Sequence, residues 1–593
     1  MLLTEKIHTL VDLFLQVTGR ERDGGRNHGL LSHRVRGSGG DVQVVTYSAL
    51  EFRERVVALA AALDDRGVRR GDRVAILCEN RPEWHMVDFA CHLIGAIVVP
   101  VYLTLSPARM RFLLKHSGAT ALAISAAGKH VEAFEQIRAD LPELKLVLNV
   151  DALGELTPVA SEQPLLAMGR QTRPEDVATI IYTSGTTGDP KGVMLTHANL
   201  VFNIYSTYDR LDLCDNPQAM AVLPLAHIFE RSLCYSYFFR GVPIAYGDPQ
   251  ELIELLPLFQ PTLMAVVPRI LEKVHERVLS QIAEMPSWKQ TLVRELLEGQ
   301  KSHRWLTPLV DRLMFAKLRE RFGGRMQYLI AGGAALKAVT GQFFLDAGIS
   351  VNEGYGLSET SPVIAVNPPR AVRLGTVGTV VPGVEVKLAG DGELLVRGGN
   401  VMKGYWKDPL ATNEALRDGW FHTGDLAAID ADGYVAITGR KKEIIVTANG
   451  KKVSHQEIEE LLASSPLIQS AMLIGDGRKF LSAVIVPNRA VLTREAVARN
   501  WPLEEYGAML ASPAVHAMYA AEIERLQAEL SDYEKVKEFI FLPEETLQDP
   551  EFLTPTLKVR RKNLERHLQA QIDALYAAPP EGHGAHGGHA SGG

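Results

Sequence analysis

The sequence predicts an α/β fold with a large N-terminal domain of mostly parallel sheets flanked by helices, a small β-barrel-like subdomain, and a smaller α+β C-terminal domain. Short β-branched apolar runs alternate with helical stretches over residues 42–150, which is typical of parallel sheets with helices on both faces. Short strand-like runs with Gly-Asp turns fill residues 375–440 and indicate a compact β unit. The chain has 593 residues, which is more than the ~250–300 that a single core holds.

The first elements follow from local signals. The strand VQVVTY (42–47) leads into a helix that Ser48 and Glu51 begin as a capping box, and Gly67 ends it. The run 89–103 is apolar and uncharged but contains Pro100, and it is too short to cross a bilayer. We therefore expect a buried helix–strand unit there. Further elements are expected at the strand 73–78, the helices near 82–95 and 128–140, and the strands 121–125 and 144–150.

Composition excludes several classes of protein. The apolar fraction is 46% and the charged fraction 22%, which are ordinary values for a globular protein. The net charge of −7 argues against a nucleic-acid partner, which would favour a basic surface. Charged residues interrupt the first 16 residues, so no signal peptide is expected. The four cysteines are far apart and predict reduced thiols of a cytoplasmic protein; they are Cys78, Cys91, Cys214 and Cys234.

The densest functional signal is the stretch YTSGTTGDPKG at 182–192. Its glycines allow tight turns and close approach of a ligand to the backbone, and its hydroxyls, amides and one lysine suit phosphate oxygens. The alternative is a Gly/Thr-rich turn between two strands. Lys191 is followed by Gly192, so this is not the common P-loop, which needs Gly-Lys-Ser/Thr. The candidate phosphate ligands are Thr183, Ser184, Gly185, Thr186, Thr187, Gly188 and Lys191.

The stretch NEGYGLSET (352–360) carries a second set of candidates. Tyr355 can stack on a base, Gly356 permits close backbone approach, and Ser358 offers a hydroxyl to phosphate. Glu359 offers a hard oxygen ligand to Mg²⁺. The alternative is an ordinary solvated loop.

Together, these two motifs resemble those of AMP-forming acyl-CoA synthetases in the adenylate-forming superfamily, and the resemblance covers roughly residues 10–575. The helical insertion at 490–535 resembles the long-chain branch in particular. The family usually has Thr where this chain has Ser358, so the hydroxyl is retained. In such enzymes a fatty carboxylate and ATP give acyl-AMP, and CoA then takes the acyl group.

The resemblance assigns roles to residues whose local signals are weaker. It implies that the turn at Gly332 and Gly333, which could be only a tight turn, packs on adenine. It implies that His227, otherwise a packed or helix-end histidine at the end of the strand AVLPL, lines the passage to the acyl pocket. Asp425 and Arg440 would bind ribose or phosphate, although both stand in common turn pairs.

The resemblance also implies a mobile C-terminal domain. The N-terminal domain would cover 1–438, with the β-rich subdomain at about 375–438, and GRKKE at 439–443 would be the hinge. The mobile domain would cover 444–577, with Gly450 beside the pantetheine tunnel and a helix capped by Ser454. Its catalytic lysine would be Lys558, with Lys562 as the alternative because Leu557 replaces a common glycine. The tail 578–593 is rich in Pro, Gly and His and is expected to be disordered.

The predicted activity is therefore that of a long-chain fatty acid–CoA ligase. Glu359, Thr183, His227 and Lys558 would be its catalytic residues, and Mg²⁺, ATP and CoA would be required. Two other functions are open: a ligase that passes the acyl group to a carrier protein, and a non-catalytic adenylate- or lipid-binding relative. Contact with the inner face of a membrane and homodimer formation are also open.

Overall fold

The computed structural model describes residues 6–19, 29–36, 42–126, 128–183, 190–283, 315–441, 444–449, 451–502, 505–547, 549, 551–552 and 559–577. The chain divides into two compact units. The first is Met1–Thr423 with Ala428–Ala436, and the second is Gly424–Ala427 with Ile437–Gly593. The chain passes between them within the strands Trp420–Ile429 and Val435–Arg440.

The first unit contains a sheet with seven strands among the described residues. Five neighbours run parallel from Val177–Thr183 to the Leu146–Asn149 edge, and the other edge is antiparallel. In spatial order the strands are Gly404–Tyr405, Lys191–Thr196, Val177–Thr183, Ile97–Pro100, Arg73–Leu77, Ala119–Ile124 and Leu146–Asn149.

A second sheet of the first unit has nine strands in the described part of the chain. Its centre is parallel from Ser350–Gly356 to Gly29–Arg36, and both edges are antiparallel. In spatial order the strands are Thr379–Val380, Val363–Val366, Ser350–Gly356, Tyr328–Ala331, Leu263–Val266, Ala219–Ala221, Ile244–Tyr246, Gly29–Arg36 and Val42–Ser48.

Helices connect these strands, as expected for an α/β fold. The amide of Glu51 donates to Ser48 Oγ (3.1 Å) and the amide of Ser48 donates to Glu51 Oε2 (2.8 Å), so the predicted capping box is confirmed. The helix Pro82–Ile94 and the strand Ile97–Pro100 are buried along their whole length, which confirms the buried unit. The described α-helices of this unit are Leu10–Gly19, Ala49–Asp65, Pro82–Ile94, Pro107–Ser117, Lys129–Glu135, Gln163–Gly169, His197–Ser206, Ile228–Arg240, Leu252–Phe259, Pro268–Ala283, Ala316–Arg321, Ala338–Asp346 and Pro409–Ala415.

The β-rich region contains short antiparallel pairs. Val384–Leu388 pairs with Glu393–Gly398, and Leu416–Arg417 pairs with the first residues of Trp420–Ile429. The predicted α/β class with mostly parallel sheets is confirmed by both large sheets. None of the described helices is long and apolar enough to cross a membrane.

The second unit is α+β. Its three-stranded sheet joins Leu481–Pro487 antiparallel to Ile468–Ile474 and parallel to Val536–Phe541. A hairpin pairs Ile444–Val446 with Lys452–Ser454. The described α-helices are His455–Leu462, Arg489–Ala498, Tyr506–Leu510, Pro513–Leu526, Glu544–Leu547, Arg561–His567 and Gln569–Ala577.

One predicted helix start in the second unit is wrong in its detail. Ser454 stands at the N-cap of His455–Leu462, but its side chain makes no cap hydrogen bond. The hydroxyl instead donates to the carbonyl oxygen of Thr438 (3.1 Å). Ser454 is also the last residue of a strand, where it pairs with Ile444, and this position turns its side chain to another strand.

Candidate active site

The ends of the predicted phosphate stretch lie on the antiparallel strands Val177–Thr183 and Lys191–Thr196, a pair that we call the phosphate hairpin. Thr183 stands opposite Lys191, and Tyr182 stands opposite Gly192. Both Thr183 and Lys191 are half-buried. The hairpin continues into a helix at His197, for which Thr196 is the N-cap. The remaining candidates of the stretch lie outside the described residues; they are Ser184, Gly185, Thr186, Thr187 and Gly188.

A segment from the far end of the first unit covers the outer edge of the hairpin. The amide of Trp406 donates to the carbonyl oxygen of Gly192 (2.7 Å), and the amide of Lys403 donates to that of Met194 (3.0 Å). A Cβ atom at Gly192 would lie 2.9 Å from Cγ2 of Ile180 and 3.2 Å from Cβ of Trp406. Packing therefore requires glycine at 192, because a side chain there would collide with Ile180 and Trp406.

Tyr182 anchors the base of the hairpin to a neighbouring helix. Its hydroxyl and Nδ1 of His116 are 2.8 Å apart, and burial raises the pKa of Tyr182. The indole Nε1 of Trp406 donates to the carbonyl oxygen of His116 (3.1 Å). His116 thus contacts both the hairpin and the segment that covers it, a role that sequence reasoning missed.

Glu359 lies in a tight turn, Ser358–Thr360, directly after the strand Ser350–Gly356. A Cβ atom at Gly356 would lie 1.8 Å from the carbonyl oxygen of Pro362, so only glycine fits there. The amide of Met402 donates to the backbone carbonyl oxygen of Glu359 (2.8 Å). Ser358 and Glu359 are both half-buried, so the turn presents the two predicted polar side chains on a fixed backbone.

Tyr405 connects this turn to the phosphate hairpin. Its hydroxyl donates to Oε1 of Glu359 (2.9 Å), and Nζ of Lys191 lies 5.0 Å from the centre of its ring. Burial and the neighbouring Glu359 raise the pKa of Tyr405. The structure therefore brings Lys191 and Glu359 together through an aromatic residue that sequence reasoning missed. The Gly-Tyr-Trp run at 404–406 is the signal that could have indicated it.

The predicted adenine side is built on two parallel neighbours. The strand Tyr328–Ala331 ends at the turn of Gly332 and Gly333, and Ala331 pairs with Glu353 on the strand that carries Tyr355. The amide of Leu336 donates to Oε1 of Glu353 (3.3 Å), which ties the turn to that strand. Gly333 has φ +84°, a left-handed conformation that favours glycine. Tyr355 is half-buried.

His227 is the N-cap of the helix Ile228–Arg240, and its Nδ1 accepts a hydrogen bond from the amide of Phe229 (3.2 Å). It is half-buried. The preceding strand is only Ala219–Ala221, so the prediction that a strand ends at His227 is wrong. Pro224 stands within the predicted strand, and the backbone around it bonds to side chains instead of to a ladder.

Those side chains are Asn80 and Glu230. Nδ2 of Asn80 donates to the carbonyl oxygen of Leu223 (2.7 Å), and Oδ1 of Asn80 accepts from the amide of Leu225 (3.1 Å). Oε2 of the fully buried Glu230 accepts from the amide of Leu223 (3.2 Å). Burial raises the pKa of Glu230 well above its ordinary value. These two residues fix the turn that leads to His227.

The predicted ribose ligands lie in the second unit. Nε of Arg440 is 3.0 Å from Oδ1 of Asp425, whose side chain is 5% exposed against 43% for Arg440. The pair gives a buried carboxylate beside an accessible guanidinium, a combination that suits hydroxyl and phosphate groups. Gly450, Lys442 of the predicted hinge and Lys558 lie outside the described residues.

The residues at Glu359 fit a magnesium ion held together with phosphate. Among the described residues, no group of three or more His, Cys, Asp or Glu side chains could hold a metal. Mg²⁺ commonly binds through one or two carboxylates plus substrate phosphates and water. One half-buried carboxylate next to a phosphate hairpin matches that pattern.

Comparison with known proteins gives consistent results. A family model described as AMP-binding enzyme matches residues 33–406, and one described as AMP-binding enzyme C-terminal domain matches residues 442–579. The Mycobacterium bovis protein "Long-chain-fatty-acid--CoA ligase FadD15" is 37% identical over 561 residues, 89% of this chain and 91% of its own.

Two solved structures show the same fold. One is the anthranilate CoA ligase AuaEII in complex with anthranoyl-AMP, with a TM-score of 0.70 and 20% identity over 94% of this chain and 98% of its own. The other is the O-succinylbenzoate coenzyme A synthetase from Bacillus subtilis in complex with ATP and magnesium ion. It has a TM-score of 0.67 and 21% identity over 93% of this chain and 99% of its own.

Proposed function

Because the chain belongs to the family of AMP-binding enzymes, we propose that it is a long-chain fatty acid–CoA ligase that forms acyl-AMP and then acyl-CoA. The observation that carries the proposal is the meeting of Lys191 and Glu359 across Tyr405. It joins a cation on a phosphate hairpin to an oxygen ligand of the kind Mg²⁺ prefers. The ligase from Mycobacterium bovis, similar along nearly the whole chain, supplies the substrate class and confirms the identification made from the motifs.

In the first step, a carboxylate oxygen of the fatty acid bonds to the α-phosphorus of ATP. The bond from that phosphorus to the bridging oxygen breaks, and pyrophosphate leaves with the electron pair. Lys191 and the hydroxyl of Thr183 hold phosphate oxygens, where such preorganised donors stabilise developing charge. Tyr355 and the turn at Gly332 and Gly333 hold the adenine.

In the second step, the sulfur of CoA bonds to the acyl carbonyl carbon, its proton passes to solvent, and AMP leaves as the carbon–oxygen bond breaks. No side-chain nucleophile is needed, because the acyl phosphate is itself an activated electrophile. His227 orients the acyl chain at the carbonyl end. Asp425 and Arg440 bind the ribose and phosphate of the nucleotide.

Magnesium is part of the proposal. Glu359, with the phosphate oxygens of ATP, would hold the ion, and the ion would neutralise phosphate charge. Support comes from the donor set at Glu359 and from the Bacillus subtilis synthetase, which was solved with ATP and magnesium ion.

The setting of the enzyme is a further part of the proposal. We place it in the cytoplasm, because all four cysteines are free thiols and such thiols persist in a reducing compartment. Contact with the inner face of a membrane and a homodimer are additional proposals. Co-sedimentation with anionic lipid vesicles tests the membrane contact, and light scattering tests the oligomeric state.

The test is a reconstitution with ATP, Mg²⁺ and a panel of C12–C18 fatty acids, with and without CoA. We expect pyrophosphate release that depends on the fatty acid, and AMP plus acyl-CoA only when CoA is present. Transfer to a carrier protein but not to CoA would favour the carrier-protein ligase. Nucleotide binding without pyrophosphate release from any fatty acid would favour a non-catalytic relative.

A further inference from the structure

The segment Met402–Trp406, which we call the bridge segment, is fixed to two predicted site elements by backbone hydrogen bonds. Its strand Gly404–Tyr405 pairs antiparallel with the phosphate hairpin, and Tyr405 stands opposite Val193. Bonds from Lys403 and Trp406 to the hairpin lie on either side of this pair. The amide of Met402 binds the carbonyl oxygen of Glu359 (2.8 Å). The bridge segment therefore sets the distance between the hairpin and the Glu359 turn.

The side chain of Tyr405 makes the same connection a second time. Its hydroxyl donates to Oε1 of Glu359 (2.9 Å), and Nζ of Lys191 lies 5.0 Å from its ring centre. Its own amide donates to Oγ1 of Thr412 (2.9 Å), and a Cβ atom at Gly404 would lie 2.7 Å from Cγ2 of Thr412. Contacts with Thr412 thus fix the backbone at Tyr405, so its ring and hydroxyl have a fixed direction.

These contacts have different physical consequences. The hydroxyl occupies one lone pair of Oε1 and limits rotation of the Glu359 carboxylate, so the carboxylate keeps one orientation. The ring attracts the ammonium group of Lys191 through its negative face and holds the lysine on the hairpin side. Partners that orient a metal-binding carboxylate commonly change metal affinity when they are removed.

We propose that Tyr405 is a positioning residue that orients Glu359 for Mg²⁺ and Lys191 for phosphate, so that metal and phosphate binding are coupled through one side chain. The inference rests on the proposed function, in which Glu359 and Lys191 bind Mg·ATP. Tyr405 acts through those two residues and does not itself touch the substrate. The hydroxyl of Tyr405 accounts for its effect on Mg²⁺-dependent ATP binding. The ring accounts for its effect on ATP binding without a metal ion.

The experiment separates the two parts with Tyr405→Phe and Tyr405→Leu. Tyr434→Phe is the matched control, because the hydroxyl of Tyr434 donates to the carbonyl oxygen of Ala371 (2.7 Å) and the guanidinium of Arg373 lies 3.9 Å from its ring centre. Calorimetry of ATP binding to the full chain, without fatty acid, is run over a range of Mg²⁺ concentrations and in EDTA. The KM for a fatty acid is measured in parallel.

We expect Tyr405→Phe to need about tenfold more Mg²⁺ for half-maximal ATP binding, with unchanged affinity in EDTA and an unchanged KM for the fatty acid. Tyr405→Leu should also weaken ATP binding in EDTA. Tyr434→Phe should match the wild-type protein throughout.

Three results would overturn the inference. In the first, Tyr405→Phe has the same Mg²⁺ dependence of ATP binding as the wild type. In the second, Tyr405→Phe loses as much ATP affinity in EDTA as it loses with Mg²⁺. In the third, its KM for the fatty acid rises by the same factor, which marks a merely structural role. Failure of the proposed function looks different: the wild type then forms no acyl-CoA, while its Mg²⁺-dependent ATP binding still decides the role of Tyr405.

Discussion

The ring of Phe229 fills the space that a side chain at position 332 would need. A Cβ atom at Gly332 would lie 2.9 Å from Cζ of Phe229 and 3.1 Å from its Cε1. The amide of Phe229 in turn donates to Nδ1 of His227 (3.2 Å). The proposed adenine turn and the proposed acyl-side histidine are therefore linked through Phe229, whose ring packs against the turn and whose amide bonds to the histidine.

Replacement of Gly332 by Ala should disturb His227 through that ring. The new methyl group pushes Phe229 aside, and misplacement of a positioning group by about 1 Å can cost on the order of 100-fold in rate. We expect a large loss of kcat/KM for the fatty acid in steady-state kinetics. Phe229→Leu combined with Gly332→Ala should recover part of it, because the shorter side chain makes room.

Gly390 supplies the control for this substitution. A Cβ atom at Gly390 would meet nothing within 4 Å, so Gly390→Ala should leave the kinetics unchanged. If Gly332→Ala also leaves them unchanged, the contact with Phe229 does not position His227.

Asn80→Ala should loosen the turn that precedes His227. The substitution leaves the carbonyl oxygen of Leu223 and the amide of Leu225 without this partner, and unsatisfied buried groups cost about 1–3 kcal/mol each. We expect a lower free energy of unfolding in urea, together with a raised KM for the fatty acid. Asn149→Ala is the control, because Asn149 accepts an exposed amide, that of Asp151. A loss of stability with an unchanged KM would show that the turn does not govern acyl binding.

Glu230 predicts a pH dependence of stability. Burial raises its pKa well above the ordinary value of 4.5. Above pH 4.5 the Glu230 carboxyl group is therefore still protonated in the folded protein, whereas in the unfolded chain it has lost its proton. The free energy of unfolding therefore falls as pH rises above 4.5, by up to about 1.4 kcal/mol per pH unit, until the folded pKa is reached. Glu230→Gln stays neutral in both states, so its melting temperature should rise relative to the wild type over that range.

Glu51→Gln is the control of opposite sign. Hydrogen bonds from the backbone and side chain of Ser48 lower the pKa of Glu51, so its contribution is present above pH 4.5 and is lost at lower pH. Melting curves from pH 4 to 8 should show this variant falling behind the wild type as pH rises. A difference between Glu230→Gln and the wild type that does not change with pH would mean that Glu230 is ionised in the fold.

The sequence predicts the regular parts of this protein well, because their signals are local. The capping box at Ser48 and the glycine turn after Ala331 each depend on neighbouring residues. Tyr405 and Asn80 were missed because their contacts are distant: Tyr405 is 46 positions from Glu359, and Asn80 is 143 from Leu223. Strand order alone brings such residues together.

The errors have the same physical origin. The apolar run before His227 has strand-like composition, yet its strand ends at Ala221 because Asn80 and Glu230 take up the backbone groups that follow. Ser454 has the composition of a helix cap, but its hydroxyl bonds to Thr438 in a neighbouring strand. In both cases a tertiary hydrogen bond replaced the local one.

Asp425→Ala should weaken recognition of the ribose. A carboxylate that accepts hydrogen bonds from ribose hydroxyls contributes less when one hydroxyl is missing. We expect Asp425→Ala to raise the KM for ATP strongly and the KM for 2′-deoxy-ATP much less, while the wild type distinguishes the two nucleotides. The same loss for both nucleotides would assign Asp425 to holding Arg440 (3.0 Å) instead of the sugar.

The sequence predicts Lys558 as the lysine that acts in the first step only. We propose that its charge bridges the fatty carboxylate and the α-phosphate, and loss of one such donor costs ~10²–10³ in rate. If the domain after the hinge at 439–443 rotates between steps, the lysine is remote during thioester formation. Lys558→Ala should therefore abolish most pyrophosphate release from fatty acid and ATP but spare acyl transfer from synthetic acyl-AMP to CoA.

Lys562→Ala is the matched control for that choice, since Lys562 is exposed on the helix Arg561–His567. It should be active in both half-reactions, because its side chain is exposed to solvent on a basic helix face. Selective loss of the first half-reaction in Lys562→Ala, with Lys558→Ala active, would move the catalytic lysine one helical turn along the chain. Equal loss of both half-reactions in Lys558→Ala would contradict a lysine that acts in one orientation alone.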